Sequence, residues 1–423
     1  MIAKTESLNR SCHPDCMDIS PQPTPLDPAT RQVRRRVTIN QALFTAGYTL
    51  TSGGFLYYFV SDTKASPLLI TILLALPELI GVLAIASPWA LKLTRNRKCL
   101  FVISSLLARF ATCLVPILLV IPHRYALYTI TSALALQGIL QAIAFTAYLS
   151  WMSDLAPETA WGRVFGRRDL VKAGVMICVP LLAALLKRNL AASEIQTRLT
   201  IIIFLSGNFL QLLSLLPLLK LPAVEPAEDR SESVNQSHGP AAARGMNREF
   251  LILLGFSFTL AIVQGITQTP FFLHTYKTLK LDLLTYYSLT GSMYLVQMLT
   301  AHLAGNWGDR IGYRNQLMLG TWITSGALVF WILSLSHGWN WLIPAYLLWG
   351  AFGMVNLALQ NLTLEIIPRT GNTWHIALCR QGSGFLAGLL GILGGVWLEK
   401  QLGTNPFTSQ TALDLTPFYW LFT

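Results

Sequence analysis

The recurrence of apolar runs about twenty residues long limits this chain more than any other feature. Eleven occur, near residues 40–60, 68–91, 99–121, 126–149, 170–186, 199–219, 250–273, 284–304, 316–336, 341–366 and 376–398. One helical crossing of a hydrocarbon core takes about 20 mostly apolar residues. Inside lipid every backbone N–H and C=O must be satisfied internally, which leaves helices or closed barrels. Runs of this length predict an all-α integral membrane protein. Composition points the same way: 53% of the 423 residues are hydrophobic and 12% are charged, where a soluble domain carries about 25%. No signal-peptide pattern precedes the first run, so that run reads as a retained span.

The polar stretches between the runs set the organisation. Residues 1–38 read as a disordered basic tail ending in Arg31, Arg34, Arg35 and Arg36. Residues 221–247 hold Pro222, Pro226, Gly239 and Pro240 among acids and serines, the composition of a linker. The linker separates a first bundle of six helices (39–220) from a second unit (248–423) of five helices and the start of a sixth. The last apolar run, Pro417–Thr423, has seven residues and is too short to cross, so the twelfth helix is expected to be truncated in this sequence. A formal charge of +11 would suit nucleic acid in a soluble protein, but its distribution argues otherwise. With the amino terminus placed inside, 22 lysines and arginines fall in inside segments and eight outside. The positive-inside rule then puts the amino terminus and the linker in the cytoplasm and makes the excess charge a topology signal.

The two units also carry a repeat. Asp154-Leu-Ala-Pro157-Glu-Thr159 closes the fourth run and Glu365-Ile-Ile-Pro368-Arg-Thr370 closes the tenth, 211 residues later. Between the eighth and ninth runs lies Gly305-Asn306-Trp307-Gly308-Asp309-Arg310-Ile311-Gly312-Tyr313-Arg314, read as a short charged turn at the lipid–water boundary. The spacing G-x-x-x-D-R-x-G-x-R resembles the cytoplasmic loop motif of the major facilitator superfamily of membrane transporters. Trp161-Gly-Arg163-Val-Phe-Gly166-Arg167-Arg168-Asp169 is similar to the arginine- and glycine-rich turn after the fourth helix of many such permeases. The resemblance implies two pseudo-symmetric six-helix bundles with a central cavity lined by the first, fourth, seventh and tenth helices. It also implies a latch: Asp309, with Gly305, Arg310, Gly312 and Arg314 in its loop, would meet Arg163 and Arg167 when the cytoplasmic side closes.

Polar residues within the runs are the candidate site. Glu78 and Arg109 fall halfway along the second and third runs, roughly 16 Å from the helix ends at 1.5 Å per residue. A lone charge there costs roughly 2.5–3.5 kcal/mol on insertion scales, so such groups pair or face water. Adjacent antiparallel helices would let the two pair, either as a packing element or with Glu78 exchanging a proton beside Arg109. Carboxamides recur four residues apart, on one helix face each: Gln137 with Gln141, Gln264 with Gln268, Asn356 with Gln360. They serve either interhelical hydrogen bonding or, with Tyr48, the lining of the cavity that the resemblance implies. His274 and His302 are further polar groups in or near spans.

Such a lining offers neutral donors, acceptors and aromatic faces, without the clustered cations that a multiply anionic solute needs. The expected function is a secondary transporter that moves a small, neutral or amphiphilic organic solute by alternating access, with protons as a coupling ion. It would act as a monomer in the plasma (inner) membrane, with the lipid bilayer and the solute as its partners and no nucleic acid. No phosphate-binding G-x-x-x-x-G-K-[ST] loop is present, which argues against ATP-driven transport by this chain. Cys12 and Cys16 lack the further ligands of a metal site, so no metal or cofactor is expected. A membrane enzyme would need clustered acids or histidines. A transporter-like sensor or assembly partner is the other class left open.

Overall fold

The computed structural model describes residues 27–62, 67–83, 96–115, 123–155, 158–190, 193–222, 247–366 and 378–402. Among these, each of the eleven runs forms a helix. The first crossing is α1 (Pro28–Thr51) followed by α2 (Gly53–Asp62), with a break at Ser52. Then come α3 (Pro67–Gly81), α4 (Arg97–Cys113), α5 (His123–Leu155) and α6 (Glu158–Asn189). The sixth crossing is α7 (Ser193–Leu213) with the short α8 (Leu215–Leu219). In the second half are α9 (Arg248–Leu273), α10 (Leu283–Ile311) and α11 (Tyr313–His337). The tenth crossing is α12 (Leu342–Trp349) with α13 (Phe352–Ile366), and the eleventh is α14 (Ser383–Leu402). Five-residue π-helical turns follow α9 (His274–Thr278) and precede α14 (Leu378–Gly382).

Two boundaries differ from the sequence reading, for local reasons. The first helix begins at Pro28, ten residues inside the expected tail. Asp27 caps it, its side chain accepting from Ala29 N at 3.3 Å, and Pro28 takes the first turn, where a missing N–H costs nothing. The four arginines therefore sit on a helix that projects beyond the apolar run. The segment Gly305–Ile311 is no turn either, because α10 continues through it. The reversal is concentrated in Gly312, whose φ of +83° only glycine adopts at little cost.

Seven of the described stretches, in α5, α6, α7–α8, α9, α11, α12–α13 and the eleventh crossing, are long and apolar enough to span a bilayer. Of the rest, α3 is apolar but has 15 described residues, while α1, α4 and α10 carry more polar residues. Those residues are tolerated where a helix faces protein or a water-filled cavity.

The packing has the symmetry of two related halves. In the first half α1 lies along α6 and α7; in the second, α9 lies along α14. Between halves, α3 packs on α14 and α6 packs on α10. Exchanging the halves converts each of these inter-half pairs into the other. Gly388 and Gly395 of α14 let Leu79 and Thr71 of α3 approach its backbone, since a Cβ on either glycine would lie under 3 Å from them.

On the face where α1 begins, here the near face, donors from three helices close the end of α8. Arg36 donates to Lys220 O. Lys98 Nζ donates to Leu219 O at 2.9 Å and Leu221 O at 2.7 Å, and Trp151 Nε1 to Pro222 O at 3.2 Å. Cations suit the last carbonyls of a helix, which carry its negative dipole end.

The core is distributed unevenly across the molecule. One apolar cluster on the far side joins both halves and includes Leu56, Ile70, Phe272, Leu283 and Trp331. On the near side the clusters are separate. Val37, Phe101 and Trp151 belong to the first half; Phe250 with Leu254, and Leu317 with Val355, belong to the second. Among the described residues, the apolar cluster that draws on both halves is the far-side one.

Candidate functional site: a cavity open toward the near face

Beneath the far-side core lies a cavity of about 960 Å³ between the halves. The first half contributes Tyr57, Leu74 and Glu78; the remaining lining comes from α9 to α14 and their π turns. Its deep end is aromatic: Phe271, Phe272, Tyr286, Trp331, Tyr346 and Trp349. Phe271 stacks on Trp331 with ring centroids 4.1 Å apart and meets Trp349 edge-on at 5.8 Å. Toward the near face the wall turns polar, with Gln264, Asn356, Gln360, Thr363 and Arg380.

The deep end is closed by contacts between halves. Phe55 N donates to Tyr287 Oη at 2.8 Å, and Tyr58 Oη donates to Leu281 O at 3.0 Å. Tyr58 also meets Phe272, Tyr276 and Tyr286 at centroid distances of 6.0, 5.0 and 5.5 Å. The break at Ser52–Gly53 frees the Phe55 amide from regular helix bonding, and the phenol of Tyr287 takes it.

Four of the carboxamides, Gln264, Gln268, Asn356 and Gln360, line the cavity. Gln137 and Gln141 are part-buried on α5 and do not. Gly138 between them is pressed against Ile80, a Cβ there lying 2.9 Å from its side chain, so this stretch of α5 is committed to packing on α3. Tyr48 is also absent from the lining and stacks on Phe44 at 5.8 Å. His274 is buried, with Nε2 3.0 Å from Ser334 Oγ, which accounts for it as a packing group; His302 is exposed.

The expected Glu78–Arg109 pair does not form. Arg109 is 3% exposed and lies over the Phe44 ring at 5.6 Å, with Nε and Nη1 lacking partners among the described residues. Helical phase separates the two: α4 turns Arg109 toward α1, whereas α3 turns Glu78 toward α14. There Glu78 lies against Gly384, where a Cβ would stand 2.9 Å from its Oε2. The charged group whose field reaches Glu78 is Arg380, in the π turn before α14. Arg380 is not among the candidate site residues read from the sequence. Its signal was positional, in that it follows the start of the eleventh run and so falls within the span.

The latch residues are partly outside the described set. Nothing is described of the side chains of Arg163, Asp309 and Arg310, and Gly305 has only its helical backbone. Arg167 and Arg314 are exposed. Arg168 is answered by its neighbour Asp169, with Nη2 to Oδ1 at 2.7 Å, which offsets the cost of cations in the first half of α6. Cys12 and Cys16 and the residues beyond 402 lie outside the described residues.

The fold has solved relatives at low identity. The inward-open xylose transporter XylE from E. coli aligns at TM-score 0.62 and 16% identity, over 93% of each chain. The nucleoside transporter NupG aligns at TM-score 0.61 and 16% identity, over 93% of this chain and 95% of that one. A bacterial homologue of the iron transporter ferroportin, in an inward-facing state, aligns at 0.60 and 14%, over 93% and 99%. No curated protein matches the sequence. The family model of the major facilitator superfamily matches residues 37–296, more than half of the chain. With two related halves around a cavity, the chain belongs to the major facilitator superfamily of membrane transporters.

Proposed function

We propose that this protein is a secondary transporter that carries a small, net-neutral amphiphilic organic solute through the inter-half cavity by alternating access. The observation that carries this reading is the one-sided core. Among the described residues, the apolar cluster shared by both halves lies at the far face, above a cavity of about 960 Å³, a volume suited to a solute of drug-like size. Rocking the halves about this site would exchange the open side. The amino terminus and the near face are assigned to the cytoplasm of the plasma (inner) membrane, from the positive-inside bias. Labelling of Cys12 and Cys16 from outside sealed cells would contradict that orientation.

Glu78 is the coupling group in this scheme. It stands at the seam between α3 and α14, within reach of solute, and the groups facing it are Arg380 and Tyr57. A carboxyl at a moving seam can load a proton in one state and release it in the other. The test is accumulation of a bound solute in proteoliposomes under a pH gradient. Glu78→Gln is expected to retain binding and exchange while abolishing gradient-driven accumulation. Accumulation that survives in a folded Glu78→Gln protein would remove the coupling role.

A further inference from the structure

Glu78 and Arg380 both line the cavity, from two helical segments that adjoin each other: Glu78 on α3 of the first half lies against Gly384 of α14, four residues after Arg380 in the π turn that opens α14. Both side chains are exposed, and neither makes an ion pair or hydrogen bond with the described residues. Two opposite charges beside one cavity, near each other yet not joined in an ion pair, are an unfinished arrangement. Each would gain from a counter-charge brought to it. A solute bearing only an anion would be drawn to Arg380 and repelled by Glu78, and a cation would meet the reverse. A solute carrying both charges gains at both groups. The deep aromatic end, with Phe271 stacked on Trp331, offers flat apolar surface to the rest of such a molecule.

We propose that Glu78 and Arg380 form a two-point recognition site for a zwitterionic amphiphile with a free amine and a free acid beside an apolar or aromatic body. The ammonium lies on Glu78, the carboxylate on Arg380 and the body against the aromatic end. The inference rests on the transporter reading and deepens it by naming the solute class. It also gives Glu78 two alternative occupants, a proton or the solute's ammonium, so that binding one displaces the other. Arg380 suits the acid because its planar guanidinium matches a carboxylate bidentately.

The test uses the purified full chain in detergent and two zwitterions of different charge spacing, L-phenylalanine and L-phenylalanyl-L-phenylalanine. Each is titrated beside its N-acetyl, C-amide and doubly capped forms, with affinity read from the rise in melting temperature. At least one free zwitterion is expected to bind about tenfold or more tighter than all its capped forms. Arg380→Gln is expected to erase the preference over the amide, and Arg380→Lys to restore part of it. Glu78→Gln is expected to erase the preference over the N-acetyl form. Each variant is first shown to melt cooperatively without ligand. Capped forms that bind as well as their parents, or no binding by any member, would overturn the proposal. Counterflow in proteoliposomes separates it from the reading beneath it. Zwitterion binding without counterflow keeps the site and sinks the transporter. Counterflow of a doubly capped form keeps the transporter and sinks the site.

Discussion

The backbone amide of Phe55 donates to the phenolic oxygen of Tyr287 at 2.8 Å, across 232 residues of sequence, and ties the broken first crossing to the start of the eighth. This bond, with Tyr58 Oη on Leu281 O, closes the far side of the cavity. Both must part if the far side is to open.

Tyr287→Phe keeps the ring packing and removes only the acceptor. One such bond is worth about 0.5–1.5 kcal/mol, so the far-open population is expected to rise by roughly two- to tenfold. A cysteine at Thr275, on the cavity wall below the closure, should then label faster from the far face. An unchanged rate would mean that the aromatic packing alone holds the closure.

Gly265 of α9 sits directly on α14, where a Cβ would lie 2.2 Å from Ala387 O. Backbone cannot give way as a side-chain tip can. Gly265→Ala is expected to cost about 1–3 kcal/mol and lower the melting temperature. Gly255, on the same helix with nothing within 4 Å of its Cβ position, is the control. Gly255→Ala should be neutral or slightly stabilising. Equal effects at the two sites would contradict the close approach of α9 and α14.

Arg109 supplies a test of opposite sign. Its guanidinium is buried with two nitrogens unsatisfied by the described residues, against one ring contact with Phe44. Replacing a buried uncompensated charge with a flexible apolar side chain removes its desolvation cost. Arg109→Met is expected to raise the melting temperature, by about 1–3 kcal/mol of stability. Since Glu78 is not its partner, the effects of Arg109→Met and Glu78→Gln should add within about 0.5 kcal/mol. Strong destabilisation together with coupling to Glu78 would restore the ion pair.

The crossings were legible from the sequence because hydrophobic length is a one-dimensional property. Where α1 begins was not, because Asp27 and Pro28 define that end through cap geometry beyond the apolar run. Gly312 was visible as a glycine, but its role as the whole reversal depends on α10 continuing through charged residues. The carboxamide pairs each predicted one face. Which faces meet the cavity depends on helix rotation about the bundle, and this separates Gln264 and Gln360 on the wall from Gln137 and Gln141 against packing. The same rotation parts Glu78 from Arg109 and sets it against the segment that carries Arg380, roughly 300 positions away in the chain.

Alternating access is tested most directly at Gln268, exposed on the cavity wall. In protein freed of its other cysteines, Gln268→Cys is challenged with an impermeant thiol reagent from each face of sealed, oriented vesicles. Labelling is expected from both faces, faster from the near face. A disulfide between Phe55→Cys and Tyr287→Cys should abolish labelling from the far face alone. Labelling confined to the near face, with or without the disulfide, would make the cavity a one-sided binding pocket and contradict a transporter.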